Sequence, residues 1–171
     1  MNPPLLMPLV EITSCAYTEP RVVQLVVGLM KRCGKHPIEL PHELPGFVWN
    51  RLQFAVLREA LSLVELGVID AATIDLIFEK GLGRRWGIMG PLKSVAAGGS
   101  ATFLRAAREI LPDLSSATDL DGLDTAVKNL QPTLDDIRHR NVELARAFPT
   151  NPITRQSQQT RGVDSPSSGA K

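Results

Sequence analysis

The sequence predicts a mainly α-helical fold that follows a short β-α-β unit at the N-terminus. Two observations support this prediction. Apolar runs of strand length occur only before position 45, and beyond it apolar residues recur at helical spacing between Gly and Pro signals. The chain has 171 residues, of which 43% are hydrophobic and 22% are charged. It is therefore long enough to bury a core and is not of the disordered class.

The first three elements alternate between strand and helix. Residues 5–13 are apolar and end in β-branched residues, which predicts a buried strand. Thr18 is predicted to cap the next helix, with Pro20 in its first turn and Gly34 as its C-terminal stop. Residues 35–40 then predict a second short strand.

The longest predicted helix covers residues 47–66 and is apolar around most of its circumference. That pattern is typical of a central, buried helix, and Gly67 is predicted to end it. Asn50 lies on one of the apolar stripes of this helix. A buried amide needs hydrogen-bond partners, so Asn50 either caps a neighbouring backbone segment or faces a substrate or cofactor.

Beyond Gly67 the sequence predicts helices alone, each delimited by capping residues, glycines or prolines. They cover residues 70–79 (closed by Gly81 and Gly83), 91–98 (opened by Gly90 and closed by Gly98-Gly99), 100–111 (capped by Ser100), 121–130 and 132–148. The composition of residues 150–171 shifts to Gln, Ser, Thr, Gly and Arg, which predicts a disordered tail.

Charge and composition exclude several classes of partner. A net charge of +1 and 5% aromatic residues argue against nucleic-acid binding by a basic surface or by base stacking. No apolar run approaches the roughly 20 residues of a membrane span. The first basic residue, Arg21, follows Glu11 and Glu19, which is unlike a signal peptide. We therefore expect a cytoplasmic protein. Cys15 and Cys33 fit a reducing compartment, and the alternative is a single disulfide between them.

Few residues suggest catalysis or ligand binding. The sequence has no glycine-rich dinucleotide loop after a strand, no P-loop and no paired metal-ligand motif. Glu11 is an acid inside an apolar strand, where it either orients a histidine or lies solvated at the strand's end. Arg84 and Arg85 follow Gly81-Leu82-Gly83, and this turn either holds an anionic group or is solvated and anchored by Trp86.

Several segments together resemble one family. They are Met1-Asn2-Pro3-Pro4, Pro8-Leu9-Val10-Glu11, Pro45-Gly46-Phe47-Val48-Trp49-Asn50-Arg51-Leu52, Glu59-Ala60, Gly67-Val68 with Ile74-Asp75, and Gly81-Leu82-Gly83-Arg84-Arg85-Trp86 with Gly90-Pro91. These segments resemble the 3-hydroxyacyl-CoA dehydrogenase family, most closely its lambda-crystallin / L-gulonate 3-dehydrogenase branch. Specific motifs carry the resemblance to about Pro91, and it continues weakly to about Phe148.

The resemblance implies a domain organisation. Residues 1–44 would be the end of a Rossmann NAD-binding domain. Residues 45–149 would form a helical domain similar to the C-terminal domain of 6-phosphogluconate dehydrogenase, and residues 150–171 would form the tail. The family's histidine would fall just before Met1, and the glycine-rich dinucleotide-binding part is absent from these residues. The resemblance therefore implies NAD as cofactor but a truncated chain that does not bind it alone.

The resemblance also implies a reaction and site residues. Family members exchange a hydride between NAD and a 3-hydroxyl or 3-keto group, with a glutamate that orients a histidine base. Glu11 matches that glutamate, and Asn50 matches the asparagine that binds substrate near the reacting oxygen. Asn2 matches the asparagine of the family's His-Phe-x-Asn-Pro motif, and Arg85 is a further expected substrate-binding residue. No metal site is expected.

These implications lead to expected substrates and partners. The expected substrate is an acyl thioester or a 3-hydroxy acid, and the same step in polyketide assembly makes a secondary-metabolite pathway one setting for it. The expected partners are a second copy, in a homodimer through the helical part, and a chain that supplies the Rossmann domain. The alternative is a non-catalytic helical remnant that dimerises or binds acyl groups.

Overall fold

The computed structural model describes residues 4–130 and 132–147. They form two units: the first comprises residues 4–49 with 132–147, and the second comprises residues 50–130. Within these residues, the predicted mainly helical fold with strands only near the N-terminus is confirmed. No helix among the described residues combines the length and the apolarity needed to cross a membrane.

A parallel β-α-β arrangement opens the first unit. Strand β1 (Leu9–Thr13) pairs in parallel with β2 (His36–Leu40), and helix α1 (Pro20–Arg32) connects them and packs against both. In this register Glu11 lies opposite Ile38. Strand β1 is shorter than the predicted strand over 5–13, because the residues that precede it begin with a turn.

Helix α1 begins differently from the prediction. Its N-terminal cap is Glu19, whose side chain makes no capping hydrogen bond, and Pro20 is the first helical residue. Thr18 was the predicted cap, and this prediction is wrong, because its side chain forms a hydrogen bond within the preceding turn. The Thr18 hydroxyl accepts the N–H of Cys15 at 3.1 Å, and the Thr18 N–H donates to the Cys15 carbonyl at 3.0 Å. Gly34, at φ +73°, follows the helix as predicted.

Helix α2 (Phe47–Glu65) ends before Gly67, which has a φ of +69° as its stop position requires. The prediction of a central, buried helix is wrong for this chain. Leu61 is the one buried residue of α2, whereas Leu52 is 64% exposed and Phe54 is 54% exposed.

The C-terminal half of α2 carries the polar contacts to a later segment of the second unit. The Glu59 carboxylate accepts the N–H of Ser115 at 2.8 Å. Near the end of the helix, the Glu65 side chain lies so close to Gly122 that a Cβ there would collide with it. In the first half of the helix, Leu52 and Phe54 are exposed, whereas Phe47 and Trp49 are half-buried.

The glycines expected to end the next helix do not end it. Helix α3 (Ala71–Ile77) continues through a π-helical turn (Phe78–Leu82) directly into α4 (Gly83–Ile88), so Gly81 and Gly83 lie within a helical run. A Cβ at Gly83 would lie 2.7 Å from the carbonyl oxygen of the first π-turn residue. Glycine at this position therefore permits the wider turn rather than stopping the helix.

The remaining helices follow the predicted order with shifted ends. They are α5 (Pro91–Gly98), α6 (Ser100–Ile110) with a 3₁₀ turn (Leu111–Asp113), α7 (Leu123–Val127) and α8 (Leu134–Ala147). Ser100 is the first residue of α6 rather than its cap, because Gly99, at φ +87°, takes the capping position. Helix α7 is shorter than the predicted 121–130.

Helix α8 begins two residues later than the predicted start at Pro132. The Thr133 hydroxyl accepts the N–H of Asp136 at 3.1 Å, and the Asp136 carboxylate accepts the N–H of Thr133 at 2.8 Å. This reciprocal capping box fixes the first turn. The predicted end at Phe148 and the predicted tail over 150–171 lie outside the described residues.

Candidate active site

Glu11 joins the sheet of the first unit to the beginning of α2. It lies in the middle of β1 and is half-buried. Its Oε1 accepts the N–H of Val48 at 2.9 Å and the N–H of Trp49 at 3.0 Å. These two amides belong to the first turn of α2, where no helical carbonyl is available to them. Glu11 therefore supplies the cap that the helix's own sequence lacks.

The local sequence explains why α2 needs a distant acceptor. The residues before it, Pro45 and Gly46, offer no capping side chain. Gly46 has a φ of +77°, and Phe47 has a φ of +51°, which is uncommon for a bulky residue. This left-handed pair turns the chain into the helix, and the two bonds to Glu11 hold the first turn in place.

The geometry of the Glu11 carboxylate leaves one oxygen available. The positive end of the α2 dipole favours a negative charge at this position. Among the residues that the structure describes, no donor bonds to Oε2. A carboxylate anchored by Oε1 can still accept an N–H through Oε2. Of the two interpretations of Glu11, solvation at the strand's end is wrong, since the residue is central and half-buried.

Asn50 directly follows Trp49 in the first turns of α2 and is exposed. The expectation of a buried amide on an apolar stripe is therefore wrong. Phe54, on the same stripe, is also exposed, whereas Phe47, one turn before Asn50, is half-buried. The Asn50 amide makes no side-chain hydrogen bond within the described residues, and it is accessible to a ligand.

Arg84 and Arg85 lie on α4 rather than in a turn, which corrects the predicted basic turn. Both are exposed, and neither forms an ion pair with a described residue. Trp86 is half-buried. No hydrogen bond joins Arg85 to Asn50 in the part of the chain described, and Asn2 lies outside it.

The amides of Val48 and Trp49 were not predicted as the partners of Glu11. A helix that begins after Pro45-Gly46, without Ser, Thr, Asp or Asn at its start, could have indicated a distant acceptor. The π turn was not predicted either. Ile74, Phe78, Leu82 and Trp86 recur every four residues, between the periods of an α-helix and of a wider turn.

Clear pKa shifts occur at Asp70, Asp136 and Cys15. A hydrogen bond from the Thr73 hydroxyl, with help from the Thr73 N–H, lowers the pKa of Asp70 below its ordinary value. The Thr133 hydroxyl and N–H lower the pKa of Asp136 in the same way. The side chain of Thr18 is the main cause that lowers the pKa of the exposed Cys15 thiol. The two aspartates accept these hydrogen bonds at the starts of α3 and α8, so their pKa shifts arise from helix capping.

The β1–α1 junction lacks the features of a dinucleotide-binding site. A phosphate usually binds where a glycine-rich loop meets a helix N-terminus. The loop of residues 14–19 contains no glycine, the acidic residue Glu19 occupies the N-cap position, and Pro20 removes an N–H. This junction does not fit a pyrophosphate. No cluster of three or more His, Cys, Asp or Glu residues that could bind a metal occurs within 4–130 and 132–147.

Comparison with known proteins defines the family. Residues 46–119 match the family described as 3-hydroxyacyl-CoA dehydrogenase, C-terminal domain, and residues 1–44 match its NAD binding domain. The chain belongs to the 3-hydroxyacyl-CoA dehydrogenase family, and the predicted lambda-crystallin branch is confirmed. NAD is thus the cofactor of the family, which the matched NAD binding domain supports.

Individual relatives agree with this assignment. The chain is similar to the lambda-crystallin homolog of Bos taurus, 43% identical over 95 residues, which cover 56% of this chain and 30% of the relative. It is equally similar, at 43% over 98 residues, to a 3-hydroxyacyl-CoA dehydrogenase of Gibberella moniliformis, covering 57% of this chain and 30% of that protein. The chain therefore spans about a third of the length of these relatives.

A solved structure supports the fold. The crystal structure of 5-formyl-3-hydroxy-2-methylpyridine 4-carboxylic acid 5-dehydrogenase, an NAD⁺-dependent dismutase, aligns with a TM-score of 0.70 at 25% identity. The alignment covers 96% of this chain and 55% of that one. The predicted dehydrogenase-type helical domain is confirmed by this likeness.

Proposed function

We propose that this chain carries the orienting glutamate and the helical part of an oxidoreductase active site. The reaction would interconvert the 3-hydroxy and 3-keto groups of an acyl thioester or a 3-hydroxy acid. One observation carries the proposal: Glu11 is anchored at the start of α2 by Oε1, while Oε2 has no donor among the described residues. Family membership gives that arrangement its chemical meaning.

Glu11 would act through an imidazole. Its Oε2 would accept an N–H from one ring nitrogen, which fixes the tautomer and leaves the other nitrogen free to accept a proton. The substrate hydroxyl would donate that proton. The histidine and the dinucleotide-binding loop would come from a partner polypeptide or from a longer form of this chain, since the β1–α1 junction does not fit the dinucleotide.

Three residues are proposed to bind substrate. Asn50 presents an exposed amide immediately after the two residues that Glu11 holds, so it could donate a hydrogen bond to the reacting oxygen. Arg85 presents an exposed guanidinium, which suits a carboxylate or phosphate of the substrate. Asn2 is assigned on the family motif alone.

A homodimer in the cytoplasm belongs to the same proposal. The exposed Leu52 and Phe54 side chains on α2 favour cover by a second copy. Cys15 and Cys33 are free and exposed, which fits a reducing compartment. Light scattering should give about twice the mass of one chain, and a monodisperse monomer would contradict the dimer.

The exposed apolar face also supports a second candidate, a non-catalytic helical module that dimerises or binds acyl groups. The two candidates differ in what a dinucleotide-binding partner adds. If such a partner produces no activity but acyl-CoA still binds the chain, the second candidate is favoured.

The experiment reconstitutes the proposed site from two polypeptides. We would co-express this chain with the part of the Bos taurus relative that lies outside the matched region, and follow NADH fluorescence with NAD⁺ and 3-hydroxybutyryl-CoA. We expect NADH from the pair and none from either polypeptide alone. A pair that associates but forms no NADH with the thioester or with 3-hydroxybutyrate would contradict the proposal.

The cofactor proposal has a separate test. This chain alone should not bind NADH in a fluorescence titration, because the β1–α1 junction offers no cradle for the pyrophosphate. Micromolar binding by the isolated chain would overturn that expectation.

A further inference from the structure

Lys35 makes an unusually complete set of contacts with the segment that leads into β1. Its Nζ donates to the carbonyl oxygens of Pro4 at 2.8 Å, Met7 at 3.0 Å and Leu5 at 3.3 Å. An ammonium group has three N–H donors, and these three contacts can use them all. Lys35 is half-buried rather than extended into solvent.

The backbone on both sides of Lys35 is also fixed. Its own N–H donates to the carbonyl of Met30 and closes the end of α1. The next N–H, that of His36, donates to the carbonyl of Pro8 at 2.8 Å and begins the β1–β2 pairing. The Lys35 backbone is therefore held between the end of α1 and the start of β2. At this position the α1 dipole favours a cation.

The segment that Lys35 contacts has few other ways to satisfy its backbone. Residues 4–8 read Pro-Leu-Leu-Met-Pro, so their side chains offer no hydrogen-bond donor, and the two prolines lack an N–H. Three carbonyls that converge on one ammonium hold this segment in a single conformation. A surface lysine whose ammonium was solvated by water would not bring three backbone carbonyls together.

We infer that Lys35 is a positioning residue, which fixes the segment entering β1 relative to Glu11. Asn2, which the proposed function assigns to substrate binding, lies two residues before Pro4 in the sequence. The inference rests on the proposed function for its catalytic consequence. Its structural part concerns only Lys35 and residues 4–7, and that part stands independently.

The structural test compares three variants of the full chain by NMR. Lys35→Met removes the donors but keeps most of the apolar stem, and Lys35→Arg keeps the charge. Lys31→Met, at an exposed position in the last turn of α1, is the matched control. We expect the amide signals of residues 5–7 to shift and exchange faster in Lys35→Met, to recover in part in Lys35→Arg, and to stay unchanged in Lys31→Met.

Two structural outcomes would overturn the inference. The first is a Lys35→Met spectrum in which the signals of residues 5–7 match the wild type. The second is loss of the Val48 and Trp49 amide signals together with those of residues 5–7, because that result would give Lys35 a general stabilising role. Neither outcome depends on whether the proposed dehydrogenase activity exists.

The functional test uses the reconstituted pair described above. If the wild-type pair forms NADH, Lys35→Met should lower kcat roughly tenfold to a hundredfold, with a smaller change in KM. Lys35→Arg should restore part of the loss, and Lys31→Met should leave kcat unchanged. An active pair whose kcat does not respond to Lys35→Met would overturn the inference, whereas an inactive wild-type pair would count against the proposed function alone.

Discussion

Removal of the Glu11 side chain should release the first turn of α2 from the sheet of the first unit. In Glu11→Ala, the N–H groups of Val48 and Trp49 lose their acceptor at 2.9 and 3.0 Å. In Glu11→Gln, an amide oxygen can replace Oε1, so the two hydrogen bonds can survive while the negative charge is lost. The pair of variants separates the capping contribution from the electrostatic one.

The expected magnitudes follow from the two contributions. Loss of an N-terminal capping acceptor costs about 0.5–2 kcal/mol. Loss of a charge that complements the helix dipole costs about 0.3–1 kcal/mol. Glu11→Ala should therefore lower the free energy of unfolding by about 1–3 kcal/mol, and Glu11→Gln by about 0.3–1 kcal/mol. At about 2–4 °C per kcal/mol for a chain of this size, Glu11→Ala should lower the Tm by about 2–12 °C.

Thermal unfolding followed by circular dichroism would measure both variants. Glu39→Ala is the matched control, because Glu39 is an exposed acid on the neighbouring strand β2. Added salt should reduce the effect of Glu11→Gln, since it screens the charge. If Glu11→Ala and Glu39→Ala lower the Tm equally, the cap does not hold the first turn of α2, and the geometry assigned to the site is wrong.

Three further predictions concern the second unit. Asn50→Ala should change the free energy of unfolding by less than about 0.5 kcal/mol, because the side chain is exposed; a thermal melt showing a loss of more than about 1 kcal/mol would reveal a structural role. In urea unfolding, Gly83→Ala should lower the free energy of unfolding by about 1–3 kcal/mol, because its Cβ would collide with a carbonyl. Gly87→Ala, whose Cβ would have no atom within 4 Å, should raise it by about 0.5–1 kcal/mol. Equal effects of the two substitutions would refute the account of the π turn. The hydrogen bonds that lower the pKa of Asp70 contribute stability that is fully present above its ordinary pKa near 3.9. This stability is lost as pH falls through the folded-state pKa. Asp70→Asn should flatten that part of the acid-unfolding curve, and an unchanged curve would contradict this prediction.

Local sequence signals predicted the fold well where a single residue determines the backbone. Gly34 and Gly67 both adopt positive φ angles and end their helices, as predicted. The β-α-β order followed from the alternation of apolar runs with capping and stop residues. Such signals act over three or four residues, and the surrounding fold did not override them.

The errors arose where a distant contact or a competing local bond decided the outcome. Thr18 bonds to Cys15 and so does not cap α1. The apolar circumference of α2 predicted burial, but apolarity does not say whether the cover comes from the same chain. For the same reason, the exposure of Asn50 could not be read from its place on an apolar stripe.

The candidate site was predicted in part. Glu11 was identified from the sequence because an acid is unusual within an apolar strand. In the structure, its carboxylate contacts the first turn of α2. The amides that hold it could not be identified, since Val48 and Trp49 are 37 and 38 residues away in sequence. The catalytic roles of Glu11 and Asn50 stay predictions that activity measurements must test.

The most direct test of the central claim is the kcat of the reconstituted pair with Glu11→Gln. This variant keeps an acceptor for the Val48 and Trp49 amides, whose NMR signals would verify that the helix start is intact. If Glu11 orients a catalytic imidazole, kcat for NADH formation from 3-hydroxybutyryl-CoA should fall by about a hundredfold or more, whereas Glu39→Gln should leave it unchanged. An active pair in which Glu11→Gln and Glu39→Gln have the same kcat as the wild type would contradict the claim.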